Sequence, residues 1–280
     1  MIRDGGLLMF RLLSREGIEY YEAAEIAGLD GVTHAFCTRL GGVSEEPFAS
    51  LNTGFLVGDR EGAVRRNLER ICGAFAIPPG WMVLMGQVHG DRICVIDGDG
   101  PPPGSVPECD GMITARPNVA LGIRTADCVP LLFVDPVRRV VGVAHAGWRG
   151  TARGIAAKMV GTFEERFSSR RKDLWIAVGP AIGPCCYQVD APVRDAFADR
   201  GDAEAFLRPC PEDGRWMLDL ELANRLQLLD AGIPEGNILA CSLCTACRQE
   251  LFFSHRGGRG RTGRLLNFLM LRDGGRPKNA

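Results

Sequence analysis

The stretch RVVGVAHAGWRG, residues 139–150, carries the strongest structural signal in this sequence. Its first five residues are mostly apolar and β-branched, a pattern typical of a buried strand. The glycine-flanked end of that strand then offers an imidazole, an indole and a guanidinium. We predict that Thr151 caps a helix over residues 152–167. Side chains between a strand end and a helix start are held by the scaffold yet open to a ligand, which favours chemistry here.

Further strands and helices are expected on both sides of this stretch, with a loop at Asp97–Pro107. Apolar runs predict strands at Val32–Thr38, Trp81–Leu84, Arg92–Ile96, Val119–Arg124, Val129–Val134, Leu174–Val178, Asn237–Ala240 and Leu265–Leu271. Helical spacing predicts a helix capped by Asp59 or a neighbour, and others near Ala191–Asp199 and Leu220–Ala231. Because no repeat or linker-like break interrupts this order, we expect one α+β domain over residues 1–280.

Composition narrows the class of protein. Of the 280 residues, 46% are hydrophobic and 24% charged, and the net charge of −1 gives no electrostatic case for nucleic acid or an anionic membrane. The arginine-rich segment 256–264 is a local exception. No apolar run approaches the roughly 20 residues of a membrane helix, and no clear export signal is visible, so a cytoplasmic location is expected. Eleven cysteines, an odd number, then favour reduced thiols over disulfides.

Two of the four histidines and one cysteine form a candidate metal site. His89 and His145 lie between glycine-containing turns and strands, and Cys128 lies where a loop enters a strand. Two imidazoles and one thiolate suit zinc and leave a fourth position for water. However, separations of 39 residues (89 to 128) and 17 residues (128 to 145) match no local zinc motif. By spacing alone, a hydrogen-bonded turn histidine and a buried thiol stay open as the alternative.

The remaining cysteine pattern gives a weaker signal. Three cysteines spaced i, i+3, i+6 from Cys241 to Cys247 have zinc-knuckle spacing, but the fourth ligand nearby would have to be His255. The adjacent Cys185 and Cys186 would point apart in an extended chain. We therefore expect buried or incidental thiols at both places. A structural zinc at Cys241–Cys247 and a cysteine–histidine nucleophile at Cys185 or Cys186 stay open as alternatives.

Several motifs together resemble the YfiH/LACC1 family in order and spacing. They are GQVHG (86–90), TADC (125–128), HAGWRG (145–150), the glycine-rich turn 179–187 and FFSHR (252–256), with supporting matches at 38–44 and 262–264. The resemblance covers residues 32–271. It implies mixed β-sheets flanked by helices, similar to toxins of the cytotoxic necrotizing factor type, and a zinc ion held by His89, Cys128 and His145.

The resemblance also implies an activity. Members of the family are described as purine nucleoside phosphorylases that deaminate adenosine and cleave methylthioadenosine. Zinc deaminases pair a metal-activated water with a proton-shuttling carboxylate. Asp127 is the expected shuttle, and Asp110 is a second candidate that also fits a structural turn role. Phosphate needs guanidinium forks, for which Arg39, Arg149 and Arg256 are the candidates.

Other functions remain open from the sequence. Older family names refer to polyphenol oxidases or laccases, so copper is the alternative metal. One blue-copper centre would use two of the four histidines and leave too few for an oxygen-reducing copper cluster. The same zinc site could instead serve an amide hydrolase that edits peptidoglycan precursors, or stabilise a non-catalytic binding protein. The expected partners are purine nucleosides and phosphate, without nucleic acid, membrane or an obligate protein partner.

Overall fold

The structure, a computed structural model, describes residues 2–4, 7–211 and 214–274. Within them the strands are β1 (Ile2–Asp4), β2 (Leu7–Arg15), β3 (Ile18–Ala23), β4 (Val32–Cys37), β5 (Met82–Met85), β6 (Ile93–Val95), β7 (Ser105–Val106), β8 (Gly111–Thr114), β9 (Ala120–Thr125), β10 (Val129–Asp135), β11 (Val140–Ala146), β12 (Trp175–Val178), β13 (Gln188–Val189), β14 (Leu207–Pro209), β15 (Trp216–Leu218), β16 (Ile238–Ala240) and β17 (Leu265–Leu271). The helices are α1 (Ala24–Ala27), α2 (Glu61–Ala74), α3 (Trp148–Ala152), α4 (Ile155–Phe167), α5 (Ala191–Asp195), α6 (Ala203–Phe206) and α7 (Leu220–Asp230).

The strands form two large mixed sheets and one small sheet. The larger has eight strands in the order β1-β2-β3-β4-β17-β9-β5-β7, and the second has six in the order β16-β12-β10-β11-β8-β6. Strands β13, β15 and β14 form the small sheet. Strand β17 is antiparallel to β4 and β9, whereas β5 runs parallel to β9. The expected α+β class with mixed sheets and flanking helices is confirmed.

The two large sheets pack face to face, and helices cover their outer faces. Along β10, Leu132 and Val134 point into the core shared with the eight-stranded sheet, whereas Leu131 and Phe133 point into the core beneath α4 and α7. Helix α2 covers the outer face of the eight-stranded sheet with Ile71. Strands buried on both faces read as continuous apolar runs, which explains why the central strands are visible in the sequence.

Register within the six-stranded sheet gathers three chemically important residues at one end. Strand β11 lies between β10 and β8 and is antiparallel to both. His145 pairs with Pro130, so Cys128 lies just outside the same end of β10. Asp110 directly precedes β8, and its carbonyl accepts the N–H of His145 at 2.8 Å. Residues distant in sequence are therefore neighbours across the sheet.

The helix after β11 differs from the prediction. Instead of one helix over residues 152–167, the chain forms α3 and α4, separated by Gly154 in the left-handed region at φ +78°. Thr151 is not a cap, because it lies inside α3 and its hydroxyl accepts a hydrogen bond from the Asn224 amide at 3.0 Å. Because α3 starts earlier than predicted, Trp148 lies in the first helical turn, directly beside the end of β11.

The N-cap residue of α2 is the neighbour of Asp59 rather than Asp59 itself. Arg60 occupies the N-cap position without a side-chain cap. The Asp59 carboxylate instead accepts hydrogen bonds from Ser44 and Asn52 side chains, at 2.6 and 2.8 Å. Asp59 therefore fastens the loop before the helix rather than the helix itself.

Several short strands are not predicted by the sequence pattern. Strand β7 lies inside the predicted loop Asp97–Pro107, and the small sheet is built from strands of two or three residues. Runs of that length are too short to show a period of two. All eleven cysteines are free thiols. Across the described ranges, no helix is both long and apolar enough to cross a membrane.

Candidate metal centre and its cavity

The fold brings the two histidines and the cysteine of the predicted metal site together. The ligand atoms of His89, Cys128 and His145 all lie within 4.8 Å of one another. The two imidazole rings meet edge to face with centroids 4.9 Å apart. Tetrahedral zinc with N and S ligands needs neighbouring donors roughly 3.3–3.6 Å apart, so small side-chain adjustments suffice to close these three around one ion.

Asp110 holds two of the three ligands in place. Its Oδ1 lies 2.8 Å from Nδ1 of His145 and accepts the backbone N–H of His89 at 3.1 Å, while Oδ2 accepts that of Gly90 at 2.7 Å. Burial alone would raise the pKa of Asp110, but these hydrogen bonds lower it below its ordinary value. The ionised carboxylate favours a proton on Nδ1, so that Nε2 is the nitrogen that a metal would bind. Asp110 is fully buried, so we assign it a positioning role.

Gly147 supplies the space that the ligands need. A Cβ at this position would lie 3.1 Å from Sγ of Cys128 and 3.1 Å from Cδ2 of His89. Such contacts are tighter than carbon normally tolerates, so any larger residue would push the ligands apart. The glycine in the HAGWRG motif therefore fits a site in which three donors converge on a metal.

Cys128 and His145 each stabilise the charged form of the other. Burial alone would raise the pKa of Cys128, but the charge of His145 and hydrogen bonds from both imidazoles lower it to about 6. Burial alone would lower the pKa of His145, but the Cys128 thiolate and Asp110 raise it to about 9. Both shifts favour a Cys128 thiolate beside a protonated His145, and a protonated imidazole cannot bind a metal through Nε2.

Zinc must therefore displace a proton from His145, and we expect zinc affinity to depend on pH. The apparent Kd should fall about tenfold per pH unit between pH 7 and 9, and the slope should lessen above that range. Competition with a zinc-binding dye across this range measures it. In Asp110→Asn the pKa of His145 should drop, so the change in slope should move to lower pH. An affinity that does not vary between pH 7 and 9 would contradict this account.

The triad opens into a cavity of about 560 Å³, a size typical of small-molecule sites. Aromatic rings and charged side chains dominate its walls. Besides the triad, its lining includes Phe55, Trp148, Tyr187, Arg124, Arg149, Arg256, Arg264, Asp127 and His255. Among the lining residues that the structure describes, Asp127 is the single carboxylate and the four arginines give a strongly cationic wall.

Two of these arginines, Arg124 and Arg264, form a cationic pair that the sequence reasoning missed. Burial and then repulsion from Arg264 lower the pKa of Arg124, and burial lowers that of Arg264. Arg124 donates to the carbonyl of Met85 at 3.1 Å, and Arg264 to those of Thr262 and Gly263. In the described part of the chain neither guanidinium pairs with a carboxylate. The nearby Cys128 and Asp127 charges partly offset the effect of burial on Arg264, but two half-buried guanidiniums without a carboxylate partner still offer a site for an anion.

The structure does not bring Arg39 into the cavity. Its guanidinium donates to the carbonyls of Ala49 at 2.6 Å and Gln249 at 3.0 Å, and it lies 4.7 Å above the Phe253 ring. These contacts join two loops, and Arg39 is not among the residues that line the cavity, which favours a structural role over phosphate binding. Membership of a motif gave no information about where this side chain points.

Arg149 and Arg256, in contrast, do reach the cavity. Arg149 stacks on the neighbouring Trp148 ring at 4.3 Å, and no protein group described by the structure accepts a hydrogen bond from its guanidinium. Arg256 lies 5.3 Å above the Tyr187 ring and donates to the carbonyl of Gln188 at 2.9 Å. Arg149 is thus the one of the two with its donors available to a ligand.

Asp127 lies on the cavity wall beside the triad. Its φ of +92° is in the left-handed region, which is uncommon outside glycine. Oδ1 accepts a hydrogen bond from the Thr245 hydroxyl at 2.6 Å, and Oδ2 accepts the backbone N–H of Arg256 at 2.7 Å. Each oxygen retains a second lone pair, so the carboxylate both fastens two chain segments and can still receive a proton. His255, exposed on the same wall, is a second titratable group that sequence reasoning did not place here.

Comparison with known proteins finds relatives that match most of the chain. Residues 33–272 match the family model described as multi-copper polyphenol oxidoreductase laccase. The chain is 43% identical over 253 residues to "Purine nucleoside phosphorylase YlmD" of Geobacillus stearothermophilus, covering 87% of this chain and 91% of that protein. It is 37% identical over 248 residues to the protein of the same name in Bacillus subtilis, with 86% and 89% covered.

A solved structure gives the same picture of the fold. The crystal structure of the Bacillus licheniformis hypothetical protein YfiH has a TM-score of 0.87 and 40% sequence identity. The match covers 94% of this chain and 99% of that chain. Both the metal triad and the arginine pair fall inside the residues matched by the family model.

Proposed function

This chain belongs to the YfiH/LACC1 family, whose model carries the laccase description, and from that membership we propose that it is a zinc-dependent purine nucleoside phosphorylase with adenosine deaminase activity. The family resemblance seen in the motifs is thereby confirmed. Relatives named purine nucleoside phosphorylase support the phosphorolytic reaction. The proposed substrates are adenosine, inosine and methylthioadenosine together with phosphate.

The observation that carries the proposal is one cavity holding both the metal triad and the Arg124–Arg264 pair. In phosphorolysis a phosphate oxygen bonds to C1′ of the sugar as the bond from C1′ to the purine nitrogen breaks. The two guanidiniums would hold the phosphate dianion bidentately and offset its charge. Their mutual repulsion, evident in the lowered pKa of Arg124, is relieved when an anion binds.

The rest of the cavity suits a purine nucleoside. Phe55, Trp148 and Tyr187 offer aromatic faces against which a purine base can stack, at about 1–3 kcal/mol per base. A zinc ion on His89 and its partners would supply Lewis acidity and lower the pKa of a bound water. Arg149, whose donors are available, would bind a further polar group of the substrate.

Deamination requires a group that moves a proton from water to the leaving ammonia, and we assign this step to Asp127. Replacing it in Asp127→Asn should lower inosine formation by about 10²–10⁴-fold, the usual contribution of a general acid–base group. Thr245→Val is the matched control, because it removes the 2.6 Å hydrogen bond and keeps the carboxylate. Inosine formation at the native rate in Asp127→Asn would reject this assignment.

The placement of the histidines does not support a multicopper oxidase. His34 is buried, and its Nε2 accepts the backbone N–H of Ala23 at 2.9 Å, so it belongs to the core. Only His89, His145 and His255 line the cavity. With two histidines already in the triad, one exposed histidine cannot build an oxygen-reducing copper cluster.

The proposal is tested by the products formed from adenosine and zinc-loaded protein, with and without phosphate. Adenine that appears only with phosphate would establish phosphorolysis, and inosine in both reactions would establish deamination. Adenosine recovered intact from both would overturn the proposal for this substrate. The His145→Ala protein is the control for contaminating nucleoside-cleaving enzymes.

A further inference from the structure

A second group of potential metal ligands lies outside the cavity. Cys185, Cys186, Cys244 and Cys247 place their Sγ atoms within 4.8 Å of one another. The Sγ of Cys247 lies 3.5 Å from that of Cys185 and 3.4 Å from that of Cys186. Four thiols from two chain segments, about 60 residues apart, therefore converge on one point at the surface.

This convergence contradicts what the sequence pattern indicated. Cys185 and Cys186 lie in a tight turn, in which the backbone N–H groups of Cys186 and Tyr187 both bond to the carbonyl of Gly183. Adjacent side chains can face the same side in such a turn. Cys241 is buried in the core, so it takes no part. The third and fourth ligands come from the other chain segment rather than from His255.

We propose that these four cysteines bind a structural Zn²⁺ ion, separate from the ion of the His/Cys/His site. Zinc–sulfur bonds of 2.3 Å in a tetrahedron require sulfur atoms about 3.8 Å apart, close to the observed separations. Four thiolates form a closed coordination shell without a position for water, which is the pattern of structural rather than catalytic zinc. Soft sulfur donors favour zinc or iron over magnesium or calcium.

The surroundings of Cys244 favour a metal over a disulfide. Its Sγ accepts the backbone N–H of Gly183 at 3.2 Å. A disulfide would use the sulfurs in pairs and would leave no reason for all four to be mutually close.

A zinc ion here would brace one wall of the cavity. Tyr187, which lines the cavity, directly follows the ligand Cys186. Thr245, which directly follows the ligand Cys244, donates to Asp127. The ion would join the turn at residues 183–186 to the turn at 244–247, and the second of these turns also carries the hydrogen bond from Thr245 to Asp127.

Metal content per chain tests the proposal independently of any activity. Protein purified under reducing conditions should contain two zinc ions per chain by mass spectrometry of the metals, and Cys247→Ser should contain one. Cys210→Ser, which removes a partly buried thiol outside the cluster, should keep two. His145→Ala should lose the other ion, which separates the two sites. We also expect a lower Tm in Cys247→Ser than in Cys210→Ser.

Thiol alkylation of the wild-type protein tests the proposal without any variant, so it still applies if Cys247→Ser fails to fold. Cys185 and Cys247 are exposed, so in the metal-free protein they should react readily, whereas zinc should protect them until a chelator is added. Any of three results would overturn the proposal. The first is the same content of one zinc per chain in Cys247→Ser and Cys210→Ser, and the second is a loss of iron rather than zinc in Cys247→Ser. The third is a protein mass that shows a disulfide within the cluster.

Discussion

His145→Ala is expected to lose the metal ion of the cavity and to lower nucleoside turnover by at least about a thousandfold, since a catalytic metal contributes several kcal/mol and each 1.36 kcal/mol is tenfold in rate. His145 is the most constrained of the three ligands. It is buried, hydrogen-bonded to Asp110 at 2.8 Å and placed by the register of β11 against β10. Metal content and turnover of the same preparation measure both effects.

The loss should not reflect unfolding. In His145→Ala, Asp110 keeps its backbone N–H donors, among them Gly90 at 2.7 Å, so the buried carboxylate remains hydrogen-bonded. Cys128→Ser, which changes one atom, should show the same loss of metal. His34→Ala removes an equally buried imidazole, since both are 3% exposed, and should retain the metal. Native turnover in His145→Ala or Cys128→Ser would show that the site is elsewhere.

Arg264→Gln is expected to raise the KM for phosphate by about 10- to 100-fold, because a hydrogen bond to a charged group contributes about 1.5–3 kcal/mol. Arg124→Gln should behave alike, since the two guanidiniums face the same region of the cavity. The KM for nucleoside should change less, because the pair is assigned to phosphate. Initial rates at varied phosphate and saturating nucleoside provide the measurement.

Arg39→Gln is the informative control for this experiment. Arg39 lies in a family motif but joins two loops through the carbonyls of Ala49 and Gln249. Its replacement should lower Tm and leave the KM for phosphate within a few-fold of the wild type. The account would be wrong if Arg39→Gln raised this KM while Arg264→Gln left it unchanged.

The central strands are predictable from sequence because both of their faces are buried. Strand β17 has its predicted bounds, Leu265–Leu271, and its side chains alternate between the core shared by the sheets and the core beneath α2. Such a strand is apolar on both faces, and the one polar residue of β17, Asn267, donates a hydrogen bond to the Thr125 hydroxyl. The small sheet has strands of two or three residues and leaves no comparable pattern. Tertiary packing, which the sequence pattern does not show, determines that the helix is interrupted at Gly154 between α3 and α4.

The metal triad could be predicted by resemblance but not by spacing. His145 and Cys128 meet because β10 and β11 pair in antiparallel register, and His89 joins them through a turn held by Asp110. None of these contacts is local in sequence. The cysteine cluster escaped prediction for the same reason, because its ligands come from two turns whose approach depends on β12 and β16 pairing in parallel.

The arginines show what motifs leave undetermined. A motif locates a backbone segment at a strand end, but the partners of a guanidinium decide whether it reaches the cavity. Arg264 ends a motif and points into the cavity, whereas Arg39, also in a motif, points away from it. Arg124 directly precedes TADC and could have been noticed there.

The central claim is that one cavity binds a metal on the triad and phosphate on the arginine pair. Anomalous diffraction at the zinc edge, from crystals grown with zinc and phosphate, tests it most directly. We predict an anomalous peak bonded to imidazole nitrogens of His89 and His145 and to Sγ of Cys128, at about 2.0–2.3 Å, with phosphate on Arg124 and Arg264. An empty triad in zinc-containing crystals, or phosphate bound away from this pair, would contradict the claim.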